Sequence, residues 1–259
     1  MPSRRGSPGS APYQEMAEAY DILHADRPYA QEARAIRALV RRHAGPSART
    51  LLDVACGTGR HLEHLVRWFD CTGLDSSAAM LARARQRAPS ARYVKGRMQD
   101  VPVGGRFDVV TCLFSAIGYL RSRAELERTL SGFSGHLAVG GVVIVEPFLT
   151  PEAWRTPYLS TETQSSGDTR VLRMSLSSRR RQRAILDLHY LVGTPGRVRY
   201  VHERHDLALF GTRTMLGAFR AAGLRAVHLL PGLSTGRGLY VAVKEGRPAP
   251  PPRRTASGA

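Results

Sequence analysis

Leu51-Leu52-Asp53-Val54-Ala55-Cys56-Gly57-Thr58-Gly59-Arg60 decides the fold. An apolar run ends in a Gly-x-Gly turn, and Leu62, Leu65, Val66 and Phe69 follow at helical spacing. That is the pattern of strand, tight loop and helix. Gly57 and Gly59 allow positive φ and let a ligand lie close to the backbone. The third glycine of a dinucleotide fingerprint would fall at Leu62, so that fingerprint fails.

Downstream, Cys71-Thr72-Gly73-Leu74-Asp75 reads as a second strand ending in an acid. Asp75 lies at the distance at which an acid grips ribose hydroxyls in αβ nucleotide-binding units. A two-glycine loop and a ribose acid without a pyrophosphate cradle point to S-adenosylmethionine. A dehydrogenase, or a Rossmann-like domain that binds nothing, is the competing reading.

Outward from this unit, the core alternates. Strand 50–55 leads to helix 60–69, strand 71–75 to helix 77–88, and strand 91–95 to Gly96-Arg97-Met98-Gln99-Asp100. Residues 107–113 are a nearly continuous apolar run, as in a strand buried on both faces. Helix 122–138 follows, with Gly140-Gly141 ending it before strand 142–146. The alternation predicts an α/β fold, a parallel sheet covered by helices on both faces. Ahead of it, helical patterns span Tyr13 to His24 and Glu32 to His43, and the polar segment between them could act as a lid.

After Pro147 the period changes to two. Residues 171–176, 185–192 and about 197–209 read as antiparallel strands. Arg179-Arg180-Arg181-Gln182-Arg183 then falls in a hairpin turn, either solvated or phosphate-binding. Helix 213–222, strand 225–230 and a last strand 238–244 complete the core. The expected organisation is a disordered 1–12, a core over 13–149, an inserted antiparallel β subdomain over 150–210, the rest of the core over 211–246, and a disordered 247–259.

Composition bounds the function. The chain has 259 residues, 42% hydrophobic and 23% charged, which suits one globular domain with an insertion. No apolar run is long enough for a membrane span, and the Pro/Gly/Ser-rich start is not a secretory signal. Cys56, Cys71 and Cys112 fit reduced, buried thiols of a cytoplasmic protein. The formal net charge is +17, and only Lys95 and Lys244 are lysines. Arginine bias, an anionic small substrate and a nucleic-acid surface are all consistent with that charge. The Asn/Asp-Pro-Pro-aromatic signature of amino-methylating DNA enzymes is absent, and nucleic acid is not an expected partner. His61 and His64 could share a helix face, but a metal would need a third protein ligand, and none is expected.

Asp53 to Gly59 resembles motif I of the class I methyltransferases, with Asp75 at the position of their ribose-binding acid. The similarity extends from about residue 13 to 244. Tyr20-Asp21 with Tyr29 and Glu32, Thr58 to His64, Phe114 to Leu120, Glu146-Pro147, His205 through Leu209-Phe210, and Gly236 to Leu239 resemble bacterial N,N-dimethyltransferases of dTDP-linked amino sugars. The resemblance implies S-adenosylmethionine as cofactor, a nucleotide-linked amino sugar as substrate, and a homodimer. It puts Tyr29, Asp53, Ala55, Gly57, Gly59, His61, Asp75, Ser76, Met80, Met98, Gln99 and Leu113 at the cofactor. It puts Tyr20, Phe148, Arg173, His189 and Arg237 at the substrate, with Arg237 on the diphosphate. It implies that His24 and Tyr119 position the amine or receive its proton, with Glu146 a second acceptor. Methylation of another small amine or a sugar hydroxyl, and cofactor binding without transfer, remain alternatives.

Overall fold

The computed structural model describes residues 16–245. The expectation of disorder at 1–12 and 247–259 lies outside the described residues. The chain opens with two helices, α1 (Ala17–Leu23) and α2 (Tyr29–His43). The core runs β1 (Thr50–Val54), α3 (Leu62–Leu65), β2 (Asp70–Asp75), α4 (Ala78–Arg87), β3 (Arg92–Lys95) and β4 (Phe107–Cys112). A 3-10 turn at Ala116–Tyr119, α5 (Arg123–Gly135) and β5 (Leu137–Val145) follow. Four strands come next: β6 (Tyr158–Ser166), β7 (Thr169–Arg180), β8 (Arg183–Thr194) and β9 (Arg197–Ala208). α6 (Thr212–Ala221), β10 (Arg225–Leu229) and β11 (Leu239–Val243) finish the core.

The central sheet has seven strands in the order β10-β11-β5-β4-β1-β2-β3. β1 through β5 pair in parallel, and β11 runs antiparallel to both β5 and β10. Successive side chains of a strand face opposite ways. Leu52 and Val54 therefore pack with Phe133, Phe219 and Tyr240 on one side of the sheet. Leu51 joins Ile36, Leu62, Ile144 and Val241 on the other. Both faces are dry, which is why β1 and β4 read as unbroken apolar runs.

Helix starts follow local chemistry. The Ser77 hydroxyl accepts the Met80 N–H and opens α4, and Ser122 does the same for Glu125 at α5. The expected helix 60–69 is only α3, one turn long, and the rest of that segment is turns. Helix α5 also ends earlier than its apolar spacing suggests, with His136 at its C-cap. Gly140-Gly141 does not end that helix. It forms an irregularity inside β5, where the register against β4 slips between Phe107 and Val109.

The second sheet is antiparallel, in the order β6-β7-β8-β9. Alternation had marked three of its strands. β6 was not foreseen, because Ser160, Thr161, Thr163, Gln164, Ser165 and Ser166 give it no apolar face. The arginine-rich turn is tighter than expected, turning at Arg181-Gln182. Two of its arginines are engaged: Arg179 donates to the Pro151 carbonyl, and Arg183 bonds Asp206 and the carbonyl of Arg121. Helix α1 packs Met16, Ala19, Ile22 and Leu23 on Val171, Leu188 and Tyr190 of this sheet. Among the described residues, no helix is long and apolar enough to cross a membrane.

Candidate functional site

The carboxyl ends of β1, β2, β4 and β5 meet the inner face of the antiparallel sheet around one cavity of about 710 Å³. Ala55, Gly57, Asp75, Ser76, Met80, Met98, Gln99 and Leu113 line one end. Tyr20, His24, Tyr119, Phe148, Arg173 and Arg237 line the same cavity. A smaller cavity of about 40 Å³ shares Ala55, Gly57 and Leu113 and adds Tyr29, Asp53, Arg60 and His61.

The loop after β1 is shaped by its backbone. Ala55, Gly57 and Gly59 all have positive φ, at 58°, 56° and 78°. A Cβ on Gly57 would meet nothing within 4 Å, while one on Gly59 would press on Ala84 at 3.0 Å. Gly57 thus keeps its backbone open to the cavity. Gly59 lines neither cavity and instead seats the loop on α4. Asp75 accepts the Gly57 N–H at 2.9 Å and the Ser77 N–H at 2.8 Å. Burial nonetheless raises its pKa. Asp53 is buried and takes the Thr111 hydroxyl at 2.7 Å, with burial lifting its pKa to about 6.

These groups fit S-adenosylmethionine. Asp75 retains lone pairs for a diol, and Met80, Met98 and Leu113 offer apolar walls for a purine. Asp53 faces Arg60 and His61 across the small cavity, a charge pattern matched to a zwitterionic amino acid end. Asp21 fixes that end of the loop: it accepts the Thr58 hydroxyl at 2.6 Å and pairs with Arg60, Arg83 and Arg87.

On the substrate side, Phe114 and Ser115 both hold positive φ, at 51° and 64°. Such a backbone is costly for non-glycine residues and persists where its surroundings enforce it. Here Glu146 accepts the Phe114 N–H at 2.6 Å and Ser115 donates to the Pro147 carbonyl at 2.8 Å. Arg237 donates to the Ser115 hydroxyl at 2.7 Å and lies 5.3 Å from the Phe148 ring centre. The His24 ring packs edge-on against Phe114 and Tyr20. Burial, then the positive charges of Arg173 and Arg27, push its pKa down to about 3. Tyr119 meets His205 Nδ1 at 2.5 Å.

Two expectations fail. Glu146 is not available as a proton acceptor: it is fully buried, lines neither cavity, and also binds Arg27 at 3.1 Å and the Thr235 hydroxyl at 2.6 Å. His189 lies on the opposite face of β8, stacked on His202 at 4.6 Å, because alternation turns Leu188 and Tyr190 inward instead. Sequence reading also missed Arg27 and His205. Arg27 bridges Glu32 and Glu146, both nearly inaccessible. The signal available was an acid, Glu32, on the apolar face of α2 beside Ile36 and Val40. His61 Nε2 contacts Glu32 at 2.8 Å, and among the described residues no cluster suits a metal.

Known proteins share this fold and sequence. A methyltransferase-domain family model matches residues 51–141. A dTDP-3-amino-3,6-dideoxy-alpha-D-glucopyranose N,N-dimethyltransferase of Streptomyces fradiae is 45% identical over 230 residues, covering 87% of this chain and 89% of the relative. The crystal structure of Streptomyces venezuelae DesVI superposes with a TM-score of 0.83 at 38% identity, covering 91% of this chain and 99% of that one. CalS10, a SAM-bound amino pentose methyltransferase of Micromonospora echinaspora, superposes at 0.79 with 34% identity, covering 91% and 99%. With the motif I loop, the Asp75 acid and the second sheet in place, the chain belongs to the S-adenosylmethionine-dependent N,N-dimethyltransferases of dTDP-amino sugars.

Proposed function

We propose that the protein transfers methyl groups to the amino group of a dTDP-linked deoxyamino sugar. The observation that carries this reading is the single cavity running from Gly57 and Asp75, past Tyr20, His24 and Tyr119, to Arg237. In this reading Asp75 grips the ribose, Met98 and Gln99 meet the adenine, and Asp53 and His61 meet the methionyl end. Tyr29 closes that end. Phe148 and Arg173 line the sugar-nucleotide side, and the Arg237 fork takes the diphosphate.

The cofactor supplies a methyl group on a positively charged sulfur, a good leaving group. The protein's task is to hold the amine nitrogen in line with that bond and exclude water. A His24 pKa near 3 keeps that imidazole neutral, so it positions rather than collects protons. Purified protein with labelled S-adenosylmethionine and dTDP-3-amino and dTDP-4-amino sugars tests the reading. Methylation of at least one is expected, and none at all would overturn it.

The same reading includes a cytoplasmic homodimer. Free Cys56, Cys71 and Cys112 suit a reducing compartment. The outer face of the antiparallel sheet exposes Leu159, Met174, Leu176, Leu191, Val198 and Tyr200. An apolar, two-dimensional face of that kind suits a second copy of this chain. Light scattering of the purified protein should report twice the chain mass, and a monomer would overturn it.

A further inference from the structure

Tyr119 does not stand alone at the cavity wall. Its hydroxyl meets Nδ1 of His205 at 2.5 Å, and Nε2 of the same ring meets the Glu203 carboxylate at 3.2 Å. His205 is buried, at 2% exposure, and both Tyr119 and His205 line the large cavity. Glu203, His205 and Leu207 alternate along β9, so they share its inner face. Two polar groups on that face, meeting a hydroxyl from the 3-10 turn, exceed what packing of an apolar wall needs.

The direction of these bonds follows from chemistry. A carboxylate only accepts, so Nε2 facing Glu203 carries the ring proton. In the neutral ring Nδ1 then has a lone pair and accepts from the Tyr119 hydroxyl. With its hydrogen directed at His205, the Tyr119 oxygen acts toward a cavity ligand as an acceptor. It can accept from an N–H of an amine, and cannot donate to the amine's own lone pair.

We propose that Glu203 and His205 are positioning residues acting through Tyr119. They make the Tyr119 oxygen a hydrogen-bond acceptor, which points the amine's lone pair at the methyl group and gives the released proton a route out. The step balances as follows. The nitrogen lone pair forms the N–CH₃ bond while the S–CH₃ bond breaks and its electron pair stays on sulfur. The resulting ammonium gives a proton to the Tyr119 oxygen as the hydroxyl's own proton passes to His205 Nδ1. The imidazolium so formed faces Glu203 and releases its proton to solvent before the next transfer. This inference rests on the amino-sugar reading for its substrate, but not for the state of the ring.

Nitrogen NMR of histidine-labelled, substrate-free protein reads that state directly. His205 is expected with its proton on Nε2, and a proton on Nδ1 overturns the proposal. Turnover provides the second readout, with folding checked by thermal melting. Glu203→Gln, whose amide no longer enforces the tautomer, should lower kcat by about tenfold or more with the sugar-nucleotide KM within about twofold, the mark of an interaction made in the transition state. Glu203→Asp should recover part of the loss. In a Tyr119→Phe background, Glu203→Gln should cost less in kcat than it does in the wild type, because that part of its effect runs through the hydroxyl. Additive losses, or a raised KM with kcat intact, would reduce the pair to wall structure. Wild-type protein inert toward every dTDP-amino sugar would refute the substrate reading alone, leaving the tautomer result to decide this one.

Discussion

Asp75 reaches across the carboxyl edge of the sheet and accepts the backbone N–H of Gly57 at 2.9 Å. The end of β2 thereby holds the turn after β1, and one carboxylate shapes the loop it shares a cavity with. Asp75→Ala should weaken S-adenosylmethionine binding by roughly ten- to a hundredfold, the equivalent of about 1.5–3 kcal/mol for a charged hydrogen-bonding partner. Calorimetry on the folded variant measures it, and unchanged affinity would remove Asp75 from the cofactor site.

Arg237 reaches the cavity between Ser115 and Phe148. Arg237→Ala should raise the sugar-nucleotide KM by about tenfold or more and leave turnover at saturation, as loss of uniform binding does. Arg237→Lys should recover only part, since an ammonium cannot reproduce a two-pronged contact. Steady-state kinetics at fixed, saturating cofactor separates these. Loss of kcat with KM unchanged would contradict the assignment.

Arg27 sits between two buried acids, 2.8 Å from Glu32 and 3.1 Å from Glu146. Removing it leaves both without their cation. Arg27→Ala should therefore destabilise the fold by roughly 3–5 kcal/mol. Urea denaturation gives the figure. Glu32 is also bonded by the Ser234 backbone N–H and by His61, and Glu146 by Thr235 and the Phe114 N–H, so a loss under about 1 kcal/mol would mean that these suffice without it.

His24 gives stability a pH dependence with a defined sign. Its pKa falls from an ordinary 6.5 to about 3 in the fold. The unfolded chain binds the proton over that window and the folded one does not, so His24's contribution is whole above 6.5 and drains as the pH falls. Asp53 acts oppositely: its pKa rises from 3.8 to about 6, so the fold takes up a proton between those values. Melting temperatures of wild type and His24→Asn, compared from pH 8 to pH 5, isolate the histidine. The wild type should lose more on acidification, and parallel curves would show that His24 charges freely.

The core was readable because periodicity and loop chemistry agreed. The β1 run, the Gly57 turn and Asp75 each had one structural solution, and the alternation in 185–192 marked which residues of β8 share a face. It set Leu186, Leu188, Tyr190 and Val192 opposite Ile185, Asp187, His189 and Leu191, so the apolar face was legible, and His189 was assigned to the pocket by resemblance against that pattern. That is why His189 was misplaced. Glu146 was misjudged for another reason. Its partners, Arg27 and Thr235, lie 119 and 89 residues away, and ion pairs across such separations leave no local pattern.

Helix α1 is short, yet it belongs to two walls at once. Asp21 holds it to the cofactor loop through Thr58, while Ile22 and Leu23 rest on the antiparallel sheet. A helix shared in this way cannot shift to suit one wall without disturbing its contacts on the other. The same seven residues are thus the joint at which the cofactor loop and the second sheet keep their alignment.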